Sequence, residues 1–338
     1  MSKESPRRIL SKDPLTSELG IEIARAMQEV YFRGDWFDSL SDAERDGIIR
    51  DHVRGRYDIA RSWLIPWIYK YVDLSNTKVV EIGCGTGSTS AALAVEGCFV
   101  EAFDISAGVV KAAKMRAQIM GLNNIRFHHH FQNDILDELC RANPPNSVEM
   151  VVCFAMLEHA TYRERIDLLR RVWDMLAPGG LLVIGDTPNR LSYWDHHTAW
   201  MPFFNSLPHE LAIDYIDRSP RNGHIAAVKR AKEKSLDAAV EQLIRLGRGI
   251  SHHEFELAIG DVGQYVVGDG FDPEPLSYYG VGLETRILYT YAKLKKLNIH
   301  PAFLRSTLDL ILQKPGGKSI DRNYSRDLDQ IIRPLRDL

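Results

Sequence analysis

Val79-Val80-Glu81-Ile82-Gly83-Cys84-Gly85-Thr86-Gly87, followed by Phe99-Val100-Glu101-Ala102-Phe103-Asp104, is the stretch from which the rest of this 338-residue chain is read. Val79–Ile82 is a short run of the kind a strand covered on both faces requires. Three glycines at alternate positions then let the backbone turn and approach a ligand with no Cβ in the way. Ser88 to Glu96 reads as a helix of small residues, and Phe99–Phe103 as a second strand that ends on the carboxylate of Asp104. Strand, glycine turn, helix and strand in this order form the layout of a nucleotide-type cofactor pocket at the switch point of a parallel sheet.

The spacing separates two cofactor classes. A dinucleotide fingerprint is Gly-x-Gly-x-x-Gly, with a pyrophosphate on the helix N-terminus. Here the turn is Gly83-x-Gly85-x-Gly87 with Ser at 88, so the third glycine comes one place early. Glu81 stands just before the turn, where an anion opposes a pyrophosphate but suits a ligand carrying an ammonium and a sulfonium. Asp104, 17 residues after Gly87, can accept both hydroxyls of a ribose or cap the helix that follows. Asn133-Asp134 follows the third strand, where Asp134 can meet an adenine amino group or cap a short helix starting at Ile135.

With these residues, Leu157-Glu158-His159 and Leu176-Ala177-Pro178-Gly179-Gly180, the sequence resembles the class I S-adenosylmethionine-dependent methyltransferases over residues 75–186. Val148-Glu149-Met150 departs from the Phe-Asp that relatives often place before the fourth strand, a structural position. The resemblance implies an α/β fold with a doubly wound, mostly parallel, Rossmann-like methyltransferase sheet. It implies S-adenosyl-L-methionine as cofactor, the ribose on Asp104, the adenine on Asp134 and the methionine end on Glu81, Gly83 and Gly85. The full expected cofactor set is Glu81, Gly83, Cys84, Gly85, Gly87, Asp104, Ile105, Asp134, Ile135, Phe154 and Ala155.

Outward from this core, residues 1–72 read as a loose tail, to about residue 13, and a helical cap. Apolar residues recur with helical rhythm between Glu18 and Arg33, Ser41-Asp42-Ala43-Glu44 is a capping box, and a helix over 57–71 should kink at Pro66. Residues 73–186 form the cofactor core. Its further strands are Ile125–His130, Val148–Phe154 and Leu181–Ile184, and a helix is capped by Thr161 and Glu164. Residues 187–234 lose all sustained period and read as an inserted acceptor or lid segment with short helices. Residues 235–338 complete the core: a helix over 235–246, a strand-like alternation over His252–Ile259, and helical character over 281–297 and 301–313.

Composition excludes less than it admits. The chain is 45% hydrophobic and 26% charged, with a formal net charge of -3, which is ordinary for a globular protein. With no basic excess, a nucleic-acid substrate is disfavoured. Its four cysteines have neither zinc nor disulfide spacing. No apolar run reaches bilayer length, and the polar N-terminus lacks a signal h-region, so a cytoplasmic protein without membrane insertion is expected. Oligomeric state is not legible.

The acceptor side is a matter of histidines. Asp195-His196-His197, His209-Glu210 and His224 fall in the insertion, and His159 follows the fourth strand. A hydroxyl acceptor must lose a proton, and a general base commonly adds roughly a hundred- to ten-thousandfold in rate. His196, His197 and His159 are the expected catalytic residues, although any one such histidine is more often a hydrogen-bonded structural residue. Adjacent His196 and His197 cannot share a helical face, and no metal is assigned. The expected activity is methyl transfer to a small-molecule or glycan-like acceptor, with oxygen favoured. The alternatives are a non-catalytic scaffold that binds the same cofactor, a protein- or RNA-directed methyltransferase and, furthest from the motifs, an NAD-dependent oxidoreductase.

Overall fold

The computed structural model describes residues 10–38, 40–130, 135–318, 320 and 327–335. Its strands are β1 (Lys78–Ile82), β2 (Phe99–Asp104), β3 (Ile125–His129), β4 (Val148–Phe154), β5 (Leu176–Pro188), β6 (Val266–Asp269) and β7 (Thr307–Gln313). They form one seven-stranded sheet in the order β3-β2-β1-β4-β5-β7-β6. β1 pairs in parallel with both β2 and β4, β2 pairs in parallel with β3, and β6 and β7 are antiparallel. The order reverses beside β1, so the sheet is doubly wound and mostly parallel, and the crevice at the carboxyl ends of β1 and β4 is its switch point.

Two compact units divide the chain, Met1–Phe154 with Asp174–Val183 and Gly316–Lys318, and Ala155–Trp173 with Ile184–Pro315 and Ser319–Leu338. In the first, the helix Ser17–Val30 is capped by Thr16, whose hydroxyl accepts from the amide of Leu19. Ser41 and Glu44 form the expected capping box. From Asp42 to Ile68 the chain is one helical run, widened into π turns at Asp51–Gly55 and Ala60–Leu64. The second π turn ends two residues before Pro66, whose ring and missing N–H an unbroken α-helix would not accommodate. Trp63, Trp67 and Tyr57 are buried along this run. The expected loose tail is tied down from about residue 10. The amide of Ser11 donates to the Glu96 carboxylate, which Arg61 also pairs, and Asp13 accepts from Tyr57 and Arg54.

In the second unit the aperiodic segment builds short helices, as expected, at His209–Tyr215 and Asn222–Lys232. With Leu236–Arg245 they enclose a small core of Met201, Phe204, Ile213, Val228 and Leu243. Two expectations fail here. His252–Ile259 is a helix, because Ser251 and Glu254 make a capping box that supplies its first turn with partners. Residues 301–313 are a 3-10 turn, Pro301–Leu304, and then strand β7, buried along nearly its whole length. A continuous apolar run of that kind looks alike in a strand and a buried helix. β6, of four residues, was too short to show any period. Among the described residues no helix is long and apolar enough to cross a membrane.

Candidate functional site

The glycine turn takes its shape from backbone bonds at the end of β1. The amides of Gly83 and Cys84 both donate to Phe103 O, at 2.8 and 3.1 Å, and the amide of Gly87 donates to Cys84 O at 2.9 Å. Gly83, Gly85 and Gly87 all have positive φ. Gly87 opens the helix Ser88–Val95, and a Cβ there would lie 2.9 Å from that of Ala113. Beside Gly85 a Cβ would meet nothing within 4 Å, so this part of the turn faces open space.

Asp104, the last residue of β2, is held on both oxygens. Oδ2 accepts from the amide of Gly85 and Oδ1 from the amide of Ser106, each at 2.9 Å. Burial raises its pKa, and these backbone donors oppose the rise. Glu81 is 2% exposed and accepts from the Ser90 hydroxyl. Burial pushes its carboxyl up to about 8, against the Ser90 hydrogen bond and with help from the charge of Asp104. A buried carboxyl and a partly buried carboxylate beside an open glycine turn form a place that a cationic ligand with hydroxyl groups would complete. Burial and the same two charges keep the thiol of Cys84 protonated. Ile105, beside Asp104, is 47% exposed, an apolar surface suited to a ring. The site residues present thus fit S-adenosylmethionine. Asp134 lies outside the described residues. Ile135 opens the helix Ile135–Ala142, and Phe154 packs 5.7 Å from the Trp63 ring.

The N-terminal cap contributes residues that the sequence reading left out. His52 Nδ1 lies 3.3 Å from the Thr86 hydroxyl, inside the glycine turn, and its ring packs on Tyr31 and Phe32. Burial lowers the His52 pKa to about 4, so the ring is neutral. Arg116, 1% exposed, donates to the carbonyls of Thr86, Val53 and His52 and so fastens cap to turn. The only sequence signal was an arginine among small residues in a helix, which does not announce a staple.

In the second unit Ala155 follows β4 with φ 48, its amide donating to Gly185 O. The 3-10 turn Leu157–His159 then carries Glu158, 0% exposed, with neither carboxylate oxygen receiving a hydrogen bond from another residue. Burial pushes Glu158 up to about 8, its own backbone amide and Arg165 opposing the rise and the charge of Asp186 adding to it. Arg165 does not reach that carboxylate. It pairs with Glu254 at 2.9 Å and donates to the backbone carbonyls of Glu158 and Gly249.

The structure brings two of the three expected catalytic histidines together with Glu158. One ligand atom from each of Glu158, His159 and His197 lies within 4.8 Å of the others. His159 and His197 meet edge to face, 5.1 Å between ring centroids. His197 Nδ1 is 3.0 Å from Leu246 O and His159 Nδ1 is 2.9 Å from Arg245 O. A carbonyl only accepts, so both rings carry hydrogen on Nδ1. Burial and the neighbouring His159 lower His197 to about 4, keeping it neutral.

The third, His196, stands apart, half exposed, with Nε2 3.8 Å from Glu284. Asp195 is taken up by the amides of His197, Thr198 and Ala199, a purely local turn. His209 is held between Tyr162 and Arg248, and His224 by Thr198 O; both are structural. Trp194, Trp200 and Phe203 are exposed, whereas Phe204 is buried in the core of this segment. Sequence reading also passed over Asp186, which takes φ 53, accepts from the Tyr279 hydroxyl and donates its amide to the buried Asp309.

Residues 79–180 match the family model described as a methyltransferase domain. Among curated proteins, the chain is similar to ubiquinone biosynthesis O-methyltransferases. The one from Pseudomonas savastanoi is 28% identical over 116 residues, 34% of this chain and 47% of that protein. The one from Xylella fastidiosa is 30% identical over 126 residues, 37% of this chain and 48% of that protein. The chain thus spans about half the length of the curated relatives it matches. Among solved structures, it is similar to a magnesium protoporphyrin IX methyltransferase from Synechocystis with bound S-adenosylmethionine, at 21% identity and TM-score 0.35, covering 51% of this chain and 72% of that one. With the turn at Glu81–Gly87, the carboxylate of Asp104 and the strand order of the sheet, the family match makes residues 79–180 a methyltransferase domain of the class I S-adenosylmethionine-dependent type.

Proposed function

We propose that the chain catalyses transfer of a methyl group from S-adenosylmethionine to an oxygen of a small-molecule or glycan-like acceptor. The observation that carries the cofactor half of this reading is the Asp104 carboxylate, held by Gly85 and Ser106 above a buried Glu81. Asp104 is fixed to receive the ribose hydroxyls. Glu81, kept neutral by burial while alone, ionises against the ammonium of the methionine end, and Ile105 offers apolar cover to the adenine. When bound, the cofactor supplies an electrophilic methyl group on a sulfonium, and its C–S electron pair returns to sulfur as the acceptor oxygen takes the methyl.

The acceptor half rests on the histidines. The names of the curated relatives favour oxygen, and a hydroxyl must shed its proton as the O–C bond forms. His159, His197 and His196 are the candidates to assist that loss, and a neutral imidazole such as His197 is in the right state to do so. The chemistry calls for no nucleic acid and no membrane. The test is release of S-adenosylhomocysteine from the purified chain, supplied with S-adenosylmethionine and a panel of phenols, sugars and hydroxy acids. Stimulation by hydroxylated acceptors supports the reading; stimulation by amines or peptides alone sinks the oxygen assignment.

A further inference from the structure

The Glu158 side chain poses a problem that the proposed proton transfer does not solve. It is wholly buried, and neither oxygen accepts a hydrogen bond from another residue, an arrangement that costs a protein free energy unless something completes it. Its nearest charge-bearing neighbour is His159 Nε2, at 3.7 Å. His197 comes to the same point from the insertion, and carbonyls at the end of the helix Leu236–Arg245 hold the Nδ1–H groups of both imidazoles, which makes Nε2 the nitrogen able to ligate. Orienting a histidine through a carbonyl on its far nitrogen is the support that metal-binding histidines characteristically have. Gly247 adds a steric requirement. Its Cβ would fall 2.1 Å from His197 Nδ1, so the ring can take this place only beside a glycine.

We infer that Glu158, His159 and His197 bind a divalent transition-metal ion. One carboxylate and two neutral imidazoles are the donor set that Zn²⁺ and its first-row neighbours prefer, whereas Mg²⁺ and Ca²⁺ favour sites made of oxygen alone. Three protein ligands leave at least one position open for a small molecule. Two of them stand in one short turn and the third is 38 residues further along the chain, so the ion also fastens the insertion. The cation would give the buried Glu158 carboxylate the counter-charge that no neighbouring side chain supplies by a hydrogen bond.

The inference deepens the proposed function and rests on it only for the ion's role. An acceptor hydroxyl in the open position would be bound as its oxygen anion near neutral pH, because a divalent ion lowers the pKa of bound oxygen ligands. His159 and His197 then act as ligands, and the hydroxyl's proton is released to water.

The test uses the full, tag-free chain, stripped with a chelator and titrated with Co²⁺ while the visible spectrum is recorded. Zn²⁺ and Mg²⁺ are titrated by calorimetry alongside. We expect one equivalent of Co²⁺ to give a d–d spectrum of low coordination number, displaced by Zn²⁺ and not by Mg²⁺. Glu158→Gln and the less buried change His159→Ala, each checked for folding by circular dichroism, should weaken Co²⁺ binding tenfold or more. Absence of stoichiometric Co²⁺ and Zn²⁺ binding by the folded chain overturns the inference. So does affinity unchanged in His159→Ala, the variant least able to disturb folding. Binding of S-adenosylhomocysteine to the same stripped protein is measured in parallel. Its failure would strike the proposed function and leave the metal result standing, and the converse holds equally.

Discussion

The backbone amide of Gly85 donates to Oδ2 of Asp104 at 2.9 Å, so the glycine turn and the end of β2 are locked to each other by one hydrogen bond. The contact fixes the carboxylate and leaves lone pairs on both oxygens for a ligand's hydroxyls. Asp104→Ala should therefore weaken S-adenosylhomocysteine binding by well over roughly tenfold, since each hydrogen bond to a charged group is worth about 1.5–3 kcal/mol. Calorimetric titration of the variant checks this, and equal affinity would show that the ribose is held elsewhere.

Glu81 and Glu158 give the ligand-free chain a characteristic dependence on pH. Both carboxyls are pushed up to about 8 by burial, so folding favours their neutral forms. A group raised in this way contributes stability that is full below its unfolded pKa, near 4.5, and is lost as pH rises through about 8. The thermal midpoint should fall across that window, and Glu81→Gln should flatten the fall. Parallel pH profiles for wild type and variant would mean that Glu81 is already ionised in the folded chain.

Gly247 has φ +97, and a Cβ there would overlap the His197 ring. Gly247→Ala should displace His197 and lower turnover by roughly tenfold or more, as misplacement of an active group does. The affinity for S-adenosylhomocysteine, measured by titration, should not change. The backbone strain should cost about 1–3 kcal/mol of stability, read from urea unfolding.

Arg165 is buried between Glu254 and two backbone carbonyls. Arg165→Met strands the Glu254 carboxylate in the interior and should destabilise the chain by about 3–5 kcal/mol, seen as a lower urea midpoint. Removing both charges, Arg165→Met with Glu254→Gln, should recover part of that loss.

The cofactor half of the molecule was legible because its chemistry sits on contiguous motifs. Glu81, the glycines and Asp104 are fixed by one strand–turn–helix–strand unit, where spacing in sequence translates directly into spacing in space. The acceptor half was not legible in that way. Glu158 and His197 are 39 residues apart, and their meeting depends on where the carbonyls of Arg245 and Leu246 place two rings, which no local pattern encodes. Glu158 was read only as part of a family motif, because burial and the lack of a partner are properties of the folded chain. Asp195 failed the other way. It looked chemical beside two histidines, yet three backbone amides consume it. His252–Ile259 and β7 were misread for different reasons: the first alternates like a strand but is capped as a helix by Ser251 and Glu254, and the second is a continuous buried run that looks alike in a strand and a buried helix.

The most direct test of the account is calorimetric titration of the purified chain with S-adenosylhomocysteine, with NAD in a parallel run. A single site for S-adenosylhomocysteine, no heat with NAD and loss of the signal in Asp104→Ala is the predicted result. Binding of NAD in preference, or S-adenosylhomocysteine binding indifferent to Asp104, would contradict the assignment of the turn at Glu81–Gly87 and the function built on it.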